Sequence, residues 1–99
     1  MVKHIVLFKL KSDIKESVKK TKLEEIKTAL EDLSKTIPEL NHIEAGINSN
    51  PDESFDLALT THFNSWEDLK AYVIHPDHQK VALIIREVLS ERACVDYEC

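Results

Sequence analysis

The chain is poor in the residues that punctuate, staple or anchor a protein: one glycine, three prolines, two cysteines and 6% aromatic residues. It has no linker, repeat or low-complexity tract, so one domain over residues 1–99 is expected. Cys94 and Cys99 lie on one extended segment, with Cα atoms about 17 Å apart. A disulfide spans no more than roughly 7 Å, which excludes an intrachain bond. Two free thiols point to a reducing compartment, and a cytoplasmic location is expected. Cys94 reads as a small core residue. No apolar run approaches the roughly 20 residues of a membrane span. Met1–Leu10 is interrupted by Lys3, His4 and Lys9 and lacks a cleavage pattern. Basic charge is also short. A net charge of −5 excludes nucleic acid as a general partner, because phosphate binding needs a dense basic surface.

What remains is an ordinary globular composition, 42% apolar and 31% charged. A chain this short buries only about two thirds of the surface it exposes when unfolded, so its own core is thin. Val2–Leu10 is a strand by its β-branched and aromatic content. His4, Val6 and Phe8 share one face, while Ile5 and Leu7 share the other, so both faces ask for cover. Leu23, Ile26, Leu30, Leu33 and Ile37 fall on one stripe of a long helix, capped by Ser12 or Asp13 and ended by Pro38. Asn41–Ile47 and Phe55–Asn64 alternate as strands about the turn-rich Asn48–Ser54. Ser65-Trp66-Glu67-Asp68 opens a short helix to Ile74. Pro76 starts a third helix with the stripe Val81, Ile84, Ile85 and Val88, and Ala93–Glu98 is a last strand. The order β-α-β-β-α-α-β predicts an α+β, ferredoxin-like fold: a four-stranded antiparallel sheet with its helices on one face. A homodimer is the simplest cover for the other face, at Ile5, Leu7, Ala58, Val95 and Tyr97.

"MVKHIVLFKLK", "IPELNHIEAGIN", "FDLALTTHFNSWEDLKAYVIHPDHQ" and "DYE" together resemble the stress-responsive α/β-barrel (Dabb) family over nearly the whole chain. The resemblance implies a dimeric α/β barrel, in which two ferredoxin-like subunits face each other through their sheets. It also implies a small-molecule site. A plant member, a polyketide cyclase, closes its substrate by aldol condensation without a metal or organic cofactor. Its Tyr-x-x-His-Pro-x-His motif is matched by Tyr72, His75, Pro76 and His78, and its first-strand histidine by His4. Its pocket aromatics fall here on Ile26, Lys27 and Leu30, and a third-strand histidine falls on Leu57, so its substrate does not carry over.

His78 lies in the first turn of the Pro76 helix, where the helix dipole favours a neutral imidazole able to accept a proton. Tyr72 can donate to a developing enolate or steady that imidazole. His78 and Tyr72 are thus the candidate catalytic pair, acting on a carbonyl compound. His4, Val6, Phe8, Ile26, Leu30, Leu59 and Val81 are the expected substrate-binding wall. The plainer alternative makes His78 a helix cap, Tyr72 a core residue and His4 a donor to a backbone carbonyl. The chain would then be a non-catalytic stress-related or small-molecule-binding protein. His75 and His78 have a spacing that suits a metal, but Pro76 intervenes and no third ligand follows, so no metal is expected. The carboxylates of the long helix, Glu24, Glu25, Glu31 and Asp32, read as a solvated face.

Overall fold

A strand with apolar residues on both sides belongs in the middle of a sheet, and the first strand lies there. The computed structural model spans Met1–Cys99. It contains β1 (Val2–Leu10), α1 (Glu16–Glu31), β2 (His42–Ile47), β3 (Leu57–Phe63), α2 (Trp66–Ile74), α3 (Pro76–Val88) and β4 (Leu89–Glu98). All pairings are antiparallel, in the order β2-β3-β1-β4. This is the ferredoxin-like sheet, with β1 flanked by β3 and β4.

One face of the sheet is covered and the other is open. Val2, His4, Val6, Phe8 and Leu10 are all buried, as are Leu57, Leu59, Thr61 and Phe63 of β3. They meet Leu23, Ile26 and Leu30 of α1, Leu69 and Tyr72 of α2, and Val81 and Ile85 of α3. On the opposite face Ile5 and Leu7 are half-buried and Ala58 is exposed. Val95 and Tyr97 are 54% and 41% exposed.

The structure differs from expectation most at four points. First, α1 starts at Glu16 behind Lys15, with no side-chain cap, rather than behind Ser12 or Asp13. It also tightens into a 3₁₀ turn at Asp32–Lys35 instead of running on to Pro38. Both Thr36 and Ile37 donate to the Leu33 carbonyl, which ends the α pattern while keeping Leu33 and Ile37 in the core. Second, β3 begins at Leu57, because Asp56 turns aside to serve β1. Its N–H donates to the Phe8 carbonyl and its carboxylate accepts from the Leu10 N–H. Third, β4 begins four residues early and pairs along all of β1, from Val2↔Glu98 to Leu10↔Leu89.

Fourth, the acidic face of α1 does more than meet water. Lys27 donates to Glu31 and to the Ala45 carbonyl, at 3.0 and 2.6 Å, and Glu31 accepts the Ala45 N–H. That Lys27 bond and the Ala45 N–H hold the Glu31 carboxyl below its ordinary value. The pair ties α1 to the edge strand β2 and occupies backbone groups that would otherwise offer a pairing edge.

Candidate functional site

Helix α3 lies across the covered face beside β1, and a cavity of about 190 Å³ opens between them. His4, Val6, Phe8, Leu30, Leu59, His78 and Val81 line it, joined by Ala82, Ile85, Arg86, Leu89 and Arg92. Six of the seven expected wall residues therefore meet there. Ile26 does not. It is 1% exposed, packed in the core one helical turn from Leu30, and it does not line the cavity.

The local chemistry of the turn between α2 and α3 positions His78. Ser65 caps α2 by accepting the Asp68 N–H, as its motif predicts. His75, not His78, caps α3: its Nδ1 accepts the Asp77 N–H at 3.1 Å, and Pro76 occupies the first turn. This bond also takes one of the nitrogens that the His75–His78 metal reading would have needed. With the cap filled, His78 is free to turn inward. Its ring lies 4.5 Å from that of Tyr72, centroid to centroid, at 60°.

Tyr72 is completely buried, packed on Phe63 at 5.0 Å, and stands behind His78 rather than in the cavity wall. The Tyr72 hydroxyl and the His78 Nδ1 are both buried without a hydrogen-bond partner. Burial pushes the Tyr72 phenol well above its ordinary value, so it stays an O–H donor. Burial, opposed by the Val73 backbone and helped by neighbouring positive groups, pulls the His78 imidazole below its ordinary 6.5, so it is neutral at pH 7.

His4 faces this pair from the sheet, with its ring 6.4 Å from Tyr72. It bonds a side chain rather than a backbone carbonyl. Asp96 is its cross-strand neighbour on β4, and the His4 Nδ1–H donates to the Asp96 carboxylate.

Cys94 is exposed rather than in the core, because β4 is an edge strand that the helices do not cover. Its Sγ donates to Asp96 at 3.5 Å, and burial together with that carboxylate raises its thiol. His4, Cys94 and Asp96 bring three ligand-type atoms within 4.8 Å of one another. They satisfy each other by hydrogen bonds, with the sulfur held as a thiol. Sequence reasoning missed Asp96, Arg86 and Arg92, all on or next to a strand whose start it misplaced.

Residues 2–99 match the family model described as the Stress responsive A/B Barrel Domain, Dabb. The chain belongs to the Dabb family. An Arabidopsis thaliana relative, stress-response A/B barrel domain-containing protein DABB1, is 29% identical over 101 residues, covering 98% of this chain and 46% of the relative. The chain thus spans less than half the length of that curated relative. A ferredoxin-like protein from Bacteroides fragilis, described as dimeric and of unknown function, is 42% identical with a TM-score of 0.96, over 99% of this chain and 95% of that one. A dimeric ferredoxin-like protein from Thermobifida fusca is 27% identical with a TM-score of 0.84, over 99% and 90%. The Dabb sheet and helix arrangement described above is therefore shared with proteins that pair. No helix of the chain is long and apolar enough to cross a membrane.

Proposed function

We propose that this Dabb protein is a cofactor-independent enzyme that works as a homodimer and removes a proton next to the carbonyl group of a small molecule. His78 is the general base, Tyr72 braces its ring from behind, and His4, held by Asp96, faces them across the cavity. One observation carries the reading: Tyr72 Oη and His78 Nδ1 are buried polar atoms without a hydrogen-bond partner, on rings whose centroids lie 4.5 Å apart. An orphaned buried polar group costs about 1–3 kcal/mol. A purely structural pair would be expected to satisfy itself, as His4 and Asp96 do. A base that exchanges a proton with a ligand keeps that capacity open, and of the two residues His78 is the one that lines the cavity.

Supporting the dimer are the open apolar face and the 42% identical relative described as dimeric. The two exposed free thiols suit a reducing, cytoplasmic setting. The test is deuterium exchange at the carbon beside the carbonyl in a panel of aromatic and aliphatic ketones, followed by NMR in heavy water. The enzyme reading predicts exchange faster than in buffer containing equimolar free imidazole. If ketones bind in the cavity and none exchanges faster than with free imidazole, the protein is a binding module.

A further inference from the structure

The chain has 13 basic residues and only two of them are arginines, Arg86 and Arg92. Both line the same cavity. Neither takes part in any of the chain's ion pairs, which use His4 and lysines alone. Both arginines are exposed; Glu87 and Glu91 flank them in sequence only, Glu87 forming no ion pair and Glu91 reaching Lys9 at 3.7 Å. In a protein of net charge −5, two unpaired guanidinium groups at one cavity are a marked local reversal of sign.

Their placement along the cavity is set by the elements that carry them. On α3, His78 is in the first turn and Arg86 in the last, a rise of about 12 Å. On the sheet, His4 pairs with Asp96 and Phe8 with Arg92, which puts the arginine about 14 Å along the strand from the histidine. Helix and strand thus agree: imidazoles at one end, guanidinium groups at the other, and the apolar Val6, Leu59, Val81 and Ile85 between.

We infer that Arg86 and Arg92 form an anion subsite, and that the ligand is an elongated, mostly apolar molecule with its carbonyl at His78 and a carboxylate or phosphate group at the arginines. This deepens the catalytic reading above and rests on it for the carbonyl end. Guanidinium groups suit both anions because their planar fork donates two parallel hydrogen bonds. The head group also fixes the orientation of the chain, since only one end of the cavity accepts negative charge.

Calorimetric titration of the dimer at low salt with octanol, octanoate and octyl phosphate tests the subsite. The two anions should bind about tenfold or more tightly than the alcohol, and the tighter of the two identifies the head group. The double variant Arg86→Gln, Arg92→Gln should lose that advantage and keep its affinity for octanol. The corresponding lysine double variant should retain part of it. Equal binding of octanol and octanoate by the wild type would overturn the subsite, as would a glutamine variant that keeps the preference. Dissociation of the glutamine variant into monomers would do the same, by assigning the arginines to the partner subunit. Ketone exchange without an anion preference contradicts the subsite alone. Anion preference without any ketone exchange contradicts the catalytic reading alone.

Discussion

Both faces of β1 carry apolar side chains, four towards the helices and two towards the open side, and the two sets meet different fates. Towards the helices, Val2, Val6, Phe8 and Leu10 are each no more than 6% exposed, and the core they join is complete within one chain. Towards the open side, Ile5 lies beside Val95 and Leu7 beside Ala93, and Val95 and Tyr97 remain 54% and 41% exposed. The covered face therefore decides the fold of the subunit and holds the cavity. The open face is left for assembly, with burial that the subunit cannot supply alone.

A charge placed on the open face breaks this comparison most sharply. Leu7→Asp should abolish the dimer, and the subunits should unfold or stay apart at micromolar concentration by light scattering. In a self-sufficient monomer the same change would lower stability without any dependence on protein concentration. On the covered face, Phe63→Ala should destabilise by about 3–5 kcal/mol in denaturant titration, because the residue is fully buried.

Acid sharpens the contrast at smaller cost. On the open face, His42 of β2 and His62 of β3 have ring centroids 4.9 Å apart, with Lys3 of β1 nearby and held over the Tyr97 ring of β4. Burial first, then His42 and Lys3, pull the His62 imidazole below 6.5. His78 on the covered face is shifted the same way. In both cases the folded state binds the proton more weakly than the unfolded chain. Stability should therefore be full above about pH 6.5 and fall as the pH drops through the lowered values, as melting temperature against pH would show. Deuterium exchange should fall over the range in which His78 gains its proton. The smallest effect is on Tyr72. Removing its unpartnered hydroxyl in Tyr72→Phe should stabilise the protein by about 1 kcal/mol and leave exchange nearly unchanged, since the ring that braces His78 is kept. A loss of stability would mean that the hydroxyl has a partner.

Much of this arrangement was legible in the sequence. Alternation along Val2–Leu10 and Leu57–Phe63 assigned each residue to its face, and the stripes of α1 and α3 named the core they meet. Tyr72 and His78 were singled out by the resemblance of the Tyr-x-x-His-Pro-x-His motif to the Dabb family, and their rings do meet, 4.5 Å apart. The rest depended on contacts that periodicity does not encode. β4 carries no alternation of burial, since nearly all of it is exposed, so its start at Leu89 and its register against β1 were hidden. With them went the His4–Asp96 bond and the convergence of Arg86 with Arg92. Ile26 shows the converse. It lies on the same helical stripe as Leu30, yet only Leu30 reaches the cavity, a difference of rotation that a stripe cannot resolve.

The central claim is that His78 on the covered face carries the chemistry independently of the assembly on the open face. It is tested most directly by measuring ketone deuterium exchange in His78→Ala, with size and melting temperature recorded on the same sample. The account predicts an intact dimer with a melting temperature close to wild type and exchange lowered by about 10²–10⁴-fold. An intact His78→Ala dimer that exchanges at the wild-type rate would contradict it.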